Sequence, residues 1–322
     1  MRTYVISIVI LLLSTVFLSA QTNKPESKPA ATPDSQGSQA RADALERQRE
    51  ARLELQRQQS YQRLKSIRMG NTSLKKRAKA YRDVISQYYR KPNKKELKAI
   101  QPNTDDLAKN AAFLRGKGTG IFRLIPDAGC SSSTKVLDVS PECMKYSMPG
   151  GGASYSFRFK NYRIARLSDL TYTGKGLIAR GVLLEALFVG LGDIPIDQIS
   201  LETPGVRFLK RMKPSRTVEE ASALARELTY GTKRDGYVYS RGIIAKEGWS
   251  YALRSIAFRG KWLNAAAGVT YNELDFDKRK DVIVAFRILR RDSDGSLTIL
   301  WKQLQSVRSP KIKIKPADDE ND

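Results

Sequence analysis

Apolar residues recur with two different periods along this chain, and the change from one to the other predicts helices before residue 115 and strands after it. From residue 74 they return every three or four positions, at Leu74, Ala78, Tyr81, Ile85 and Tyr88. This spacing puts them on one face of a helix, which Pro92 ends. Lys and Arg fill most of the other positions, so the predicted helix is amphipathic and basic.

Two further stretches before residue 115 predict helices. Residues 41–69 lack Gly and Pro and consist mainly of good helix formers. Their apolar stripe is loose, so we expect a solvated single helix, with a short coiled coil as the alternative. Around 104–115, Asn103 or Thr104 can cap a short helix. Residues 41–110 are therefore predicted to form a basic helical, coiled-coil-like segment.

Beyond residue 116 the pattern changes to alternation, which predicts an α+β fold. The basic helical N-terminal segment is followed by a β-rich, mainly antiparallel globular domain over 111–309, either sandwich-like or barrel-like. Tyr155, Phe157 and Phe159 alternate with polar residues, as in a strand with one buried face. The run from Pro149 to Gly152 predicts a turn into that strand. Residues 199–201 and 206–208 are expected to be short strands.

A hairpin near the end of the chain is the strongest strand signal. Its two strands carry apolar residues at every second position, at Val282, Val284, Phe286 and Ile288 and then at Leu297, Ile299 and Trp301. Residues 291–295 supply the turn. One capped helix is predicted near 217–229, because Thr217 and Glu220 have capping-box spacing and Gly231 suits its end.

The two termini differ in composition from the rest of the chain. Residues 1–20 have a positive start, an apolar run of about 14 residues and small residues at the end, the plan of a secretory signal peptide. The alternative is an uncleaved N-terminal anchor. Residues 21–40 predict a flexible linker and residues 310–322 a disordered, acidic tail. We therefore expect an exported protein, periplasmic or extracellular.

The charge balance points to an anionic partner. The chain carries 57 Lys and Arg against 33 Asp and Glu, and removal of residues 1–20 leaves a net charge of +23. Residues 41–110 alone hold 19 basic and 8 acidic residues, so this segment is the expected electrostatic contact surface. The candidate anion-binding residues are Lys75, Lys76, Arg77, Lys79 and Arg82 on the helix and Lys210, Arg211 and Lys213 in a second basic run.

Catalytic motifs are scarce. The chain has no histidine, which excludes Ser-His-Asp and Cys-His nucleophile systems in their usual form and all His-containing zinc sites. No catalytic residue, cofactor or metal site is therefore predicted. One route to hydrolysis remains, since Glu273, Asp275 and Asp277 alternate with apolar residues. An extended chain would project these carboxylates to one side.

These patterns favour an exported, non-catalytic, envelope-associated protein that binds an anionic surface, a polysaccharide or a partner protein. Peripheral membrane contact belongs to that expectation. Specific nucleic-acid binding does not, because export separates the protein from genomic DNA and cytoplasmic RNA. The alternatives are an exported hydrolase that uses carboxylates, and a structural or scaffolding protein that assembles through its N-terminal helices. The oligomeric state stays open.

Cys130 and Cys143 are the two cysteines of the chain, and in an exported protein they predict one structural disulfide. The bridge would close a loop of about 14 residues, which the chain-entropy model values at about 3 kcal/mol. We expect the native protein to be inert to a thiol reagent and to lose about that much unfolding free energy on reduction. Rapid labelling of either cysteine without reductant would contradict the prediction.

Overall fold

The computed structural model describes residues 74–127 and 149–313, all within the unit Arg63–Asp322. The predicted signal peptide, the linker over 21–40 and the helix over 41–69 lie outside these residues. So do Cys130 and Cys143, and the disulfide stays a prediction.

Six α-helices occur in the described residues. They are α1 (Leu74–Tyr88), α2 (Lys94–Ala99), α3 (Thr104–Lys109), α4 (Ala111–Leu114), α5 (Val206–Arg211) and α6 (Val218–Tyr230). The predicted caps are present: the Asn103 side chain accepts a hydrogen bond from the Asp105 amide, and Thr217 accepts one from the Glu220 amide. In the same two ranges, no helix combines the length and apolar character needed to span a membrane.

Fourteen strands are found in the described part of the chain. They are β1 (Thr119–Leu124), β2 (Ser154–Ser156), β3 (Asn161–Tyr162), β4 (Leu170–Tyr172), β5 (Gly176–Ile178), β6 (Leu184–Gly192), β7 (Thr232–Arg234), β8 (Tyr237–Ser240), β9 (Gly242–Ile244), β10 (Ser250–Ala257), β11 (Leu263–Ala266), β12 (Val269–Asn272), β13 (Lys280–Arg291) and β14 (Leu297–Arg308). Every pairing between them is antiparallel. The predicted α+β class with a β-rich domain is therefore confirmed.

The strands form two main sheets and one separate hairpin. The large sheet has the order β1-β14-β13-β10-β6-β8-β7, and the small sheet has the order β3-β2-β4-β5-β9. Both orders have free ends, so neither sheet closes into a barrel, and that alternative is excluded for the described residues. The hairpin β11–β12 pairs with neither sheet.

The main core lies between the two sheets. It contains every apolar residue predicted to line the β13–β14 hairpin, and those side chains meet Tyr155 and Phe157 from the small-sheet side. Phe122 of β1 stacks on Tyr155 at 3.7 Å between ring centroids. Ile100, which follows α2, is also part of this core. Aromatic packing thus joins the two sheets.

A second core covers the opposite face of the large sheet. Ile283 and Ala285 of β13 belong to it, together with Leu209 of α5 and Leu228 of α6. Because helices cover this face, Ile283 and Ala285, which lie between predicted apolar positions of β13, are buried as well. The alternation in the sequence therefore identified the strand but understated its burial.

Three strand predictions were wrong in extent or type. Residues 206–208 belong to helix α5, and a 3-10 helix, Ile196–Gln198, precedes residues 199–201. The strand around Tyr155 covers only Ser154–Ser156, and the chain turns from Phe157 onward. All three of its side chains are buried, so its polar positions do not face solvent.

The start of the predicted tail is folded. Lys311 pairs with Arg259, and Lys313 pairs with Thr217 at the beginning of α6. Ile312 is buried between them and packs with Phe258. Order therefore extends at least to residue 313, and the acidic end of the tail lies outside the described residues.

Glu185 is a buried carboxylate beneath the loop that joins α5 to α6. Its Oε2 accepts a 3.4 Å hydrogen bond from the Ser215 amide, and its Oε1 has no partner among the described residues. Burial raises the pKa of Glu185, with Asp281 adding to the shift and Arg254 opposing it. The folded protein therefore holds this proton at pH values where the unfolded chain has released it.

We expect this group to make stability fall as pH rises above about 4.5, because the native state then binds more protons than the unfolded state. Glu185→Gln should flatten that slope and raise the denaturation midpoint at neutral pH, with little change at pH 4. Denaturant titrations across pH measure it. Glu202→Gln is the control, since Lys210 lowers the pKa of this exposed carboxyl. Equal pH profiles for wild type and Glu185→Gln would contradict the prediction.

Candidate functional site

The basic helix predicted from the sequence is α1, and its charged side chains face outward. Lys76, Lys79 and Arg82 are exposed and follow one another at spacings of three residues. Arg77 is half-buried. Lys75 lies in the helix, but its side chain is outside the description. Four of the five helix candidates thus have described side chains, and three of these are exposed.

The structure adds lysines that the sequence reasoning missed. Lys91, Lys94, Lys95 and Lys98 are all exposed, on α2 and on the loop before it. Residues 74–100 together carry ten Lys and Arg but only two acids. A count of basic residues that continued past Pro92 would have found this concentration of charge, but Pro92 served only to mark the end of the first helix. We call residues 74–100 the basic segment.

Tyr89 attaches the basic segment to the rest of the protein. Its ring stacks on Phe276 at 4.3 Å between centroids, with an angle of 6° between the ring planes. Its hydroxyl lies 2.9 Å from the Tyr271 hydroxyl and donates to Glu273 Oε1 at 3.1 Å. Burial and the Tyr271 hydrogen bond raise the pKa of Tyr89 well above its ordinary value. Tyr89 is therefore an anchor that keeps its proton.

Arg163 also holds the basic segment against the rest of the protein, by binding backbone carbonyl groups. Its guanidinium donates to the carbonyl of Tyr89 and to the carbonyl of Phe276, each at 2.8 Å. The side chain is buried, and the guanidinium lies 4.4 Å from the centroid of the Phe159 ring. Among the described residues it makes no salt bridge with an acid. It acts as a clamp between the end of α1 and residue 276.

Gly150 explains why the glycine run precedes β2. Its φ is +74°, and a Cβ at this position would lie 2.2 Å from the carbonyl oxygen of Arg163. A side chain is therefore excluded on two grounds, the left-handed backbone and the close approach. The turn predicted over 149–152 is present, and it packs directly against the clamp.

A buried ionic cluster lies behind the clamp. Arg158 is paired with Asp169, and both side chains have 0% exposure. Arg158 also donates to Asp277 Oδ2 at 3.0 Å, and Arg279 pairs with the same oxygen. Ser255 of the large sheet donates to Asp169, so the cluster joins the two sheets.

The three carboxylates considered for hydrolysis do not converge. Glu273–Phe276 is a 3-10 helix, so the chain is not extended and the one-sided arrangement predicted from alternation is wrong. Glu273 is paired with Arg166, while Asp275 accepts from Asn272 and Asp277 lies in the arginine cluster. Within 74–127 and 149–313, no three acidic or cysteine side chains are grouped so as to hold a metal ion.

The second predicted basic run lies on a different element. Lys210 and Arg211 are in the last turn of α5 and pair with Glu202 at 2.6 Å and with Asp235 at 2.8 Å. Lys213 follows in an exposed position. Two of these three charges are thus partly neutralised by neighbours, which makes this run the weaker candidate for anion binding.

Comparison of the chain with protein-family models, with curated proteins and with solved structures found no match in any of the three.

Replacing Arg163 by methionine tests the clamp. Methionine retains a long apolar stem but donates no hydrogen bond, so two carbonyls lose their partner. We expect a loss of about 2–3 kcal/mol in unfolding free energy and faster tryptic cleavage after Arg90, since Pro92 blocks cleavage after Lys91. Arg207→Met, on the exposed side of α5, is the matched control and should change neither. Wild-type cleavage kinetics in Arg163→Met would show that the clamp does not hold the basic segment.

Proposed function

We propose that this protein is an exported, non-catalytic component of the cell envelope that binds an anionic surface through the basic segment 74–100. The observation that carries the proposal is the concentration of exposed lysines and arginines on a segment that is fixed to a folded body. Seven of these side chains are exposed: Lys76, Lys79, Arg82, Lys91, Lys94, Lys95 and Lys98.

The attachment supports binding because it reduces the entropy that a ligand must overcome. A free basic peptide loses conformational freedom when it binds, and that loss weakens the complex. Here Tyr89 and Arg163 hold the end of α1 before any ligand arrives. The charges are therefore presented on a preformed surface, and their attraction adds directly to affinity.

The arginine cluster supports a non-catalytic role. Asp169 and Asp277 have fully buried side chains that are paired with arginines. Glu273 is 1% exposed and is bound by Arg166 and Tyr89. Carboxylates held in this way stabilise a fold and are shielded from a substrate, whereas a glycosidase acid must reach the bond that it cleaves.

The test is the triple variant Lys76→Gln, Lys79→Gln, Arg82→Gln. Each basic residue near an anionic membrane contributes about 1 kcal/mol, so affinity should fall roughly 100-fold at low salt. Binding of the exported protein to anionic vesicles and to dextran sulfate is measured across a salt series, and the salt dependence should weaken as well.

A second triple variant, Lys117→Gln, Lys175→Gln, Lys233→Gln, is the matched control. It removes the same net charge from three exposed positions on other elements. We expect it to retain most of the affinity. If both triple variants lose the same affinity, binding follows net charge alone and the basic segment is not the site. If the wild type binds neither vesicles nor dextran sulfate at any salt concentration, the proposed function is wrong.

A further inference from the structure

The hairpin β11–β12 has an apolar surface that the fold does not use. Ten consecutive residues, 262–271, carry no charged side chain, in a chain of which 28% is charged. Trp262 is 41% exposed and Leu263 is 65% exposed, side by side at the start of the hairpin. Lys261, immediately before them, is also exposed.

Helix α1 covers one face of this hairpin and leaves the other open. Tyr271 of β12 lies opposite Asn264, and its ring meets Tyr81 of α1 at 5.8 Å between centroids. Directly opposed residues share a face and neighbours within a strand alternate, so Leu263 projects from the face opposite Tyr271. Trp262 precedes β11 and lies outside this alternation, and its side chain is partly exposed. An isolated two-stranded hairpin is marginally stable unless something packs on it. The contact with α1 therefore makes helix and hairpin one structural unit.

We propose that this unit binds the surface of an anionic lipid bilayer, with Trp262 and Leu263 inserted among the headgroups and the lysines of the basic segment near the phosphates. The inference rests on the proposed function and narrows its anionic partner to a lipid surface. Charge complementarity favours an anionic partner for the open face, because the hairpin packs on the segment with ten basic and two acidic residues.

A lipid surface can bind both the lysines of the basic segment and the exposed apolar side chains of the hairpin. A soluble polyanion can bind only the lysines. Phosphate groups attract the lysines in either case. Only a bilayer also offers an apolar phase to Leu263 and an interface to Trp262, whose ring favours the boundary between headgroups and hydrocarbon. Exposed Leu and Trp beside basic residues are the features by which surface-bound proteins attach without spanning the membrane.

Leu263→Asp tests the insertion. The variant loses the apolar contact and adds a charge that anionic headgroups repel, so affinity for vesicles of equal parts phosphatidylcholine and phosphatidylglycerol should fall tenfold or more. Affinity for dextran sulfate should fall much less, because only the charge repulsion acts there and no apolar contact is lost. Ile244→Asp is the matched control, because Ile244 is 81% exposed on the edge of the small sheet, and it should retain vesicle binding. All variants are prepared by the same export route, so the N-terminal residues are common to them.

Fluorescence gives an independent readout that does not depend on the aspartate variant. Vesicles carrying brominated lipid should quench part of the tryptophan emission of the wild type, and Trp262→Phe should remove that part. Of the other two tryptophans, Trp301 is 1% exposed and Trp249 is half-buried against the core beneath Lys246. If Leu263→Asp binds vesicles as tightly as Ile244→Asp, and Trp262→Phe changes no quenching, the inference is overturned while the proposed function stands. A change in molecular mass caused by Leu263→Asp in the absence of vesicles would assign the open face to a second copy of the chain and also overturn it.

Discussion

The pairing of Arg158 with Asp169 is the interaction on which the rest of this structure depends. Both side chains are fully removed from water, and each would be costly to bury alone, by several kcal/mol per ion. Their partners come from different places, Ser255 from the large sheet and Asp277 from the turn before β13. The pair is therefore stable only when the two sheets and this turn are in position together.

A series of contacts connects this buried cluster to the basic segment at the surface. Asp277 follows the 3-10 helix that presents Phe276, and Phe276 offers both the ring on which Tyr89 stacks and the carbonyl that Arg163 binds. Burial lowers the pKa of Arg163, while Asp277 favours its charged form. A chain of short-range contacts thus connects the interior to the basic segment. The position of the segment therefore depends on buried charged groups as well as on aromatic and apolar contacts.

Strong periodicity made much of the fold predictable. The β13–β14 hairpin followed from alternating apolar residues, and the start of α6 followed from Thr217 and Glu220, because one buried face or one cap leaves a local signature. The helix α1 and its outward lysines could be inferred for the same reason.

Other features depend on long-range geometry. Alternation assigns polar residues to solvent, yet Ser156 and Arg158 are buried because they meet Asp169, a residue 11 positions away from Arg158 along the chain. The same rule made Glu273 and Asp277 look like one row of acids, although a 3-10 helix separates their directions. Arg163 carried no signal at all, since its partners are backbone carbonyls, which every residue possesses. Sequence patterns indicate which face of a helix or strand is apolar. They do not indicate which polar side chains become buried when a second sheet or a helix packs against it.

Ile100 gives the basic segment a second role. It is 1% exposed and belongs to the core between the sheets, together with Phe122 and Trp301. A protease or a gene rearrangement that separated the segment from the sheets at residue 110 would leave an apolar hollow where Ile100 had been. The charged exterior and the sheet core therefore cannot be inherited or exchanged as independent modules. A substitution in the basic segment can therefore also alter the packing of the core.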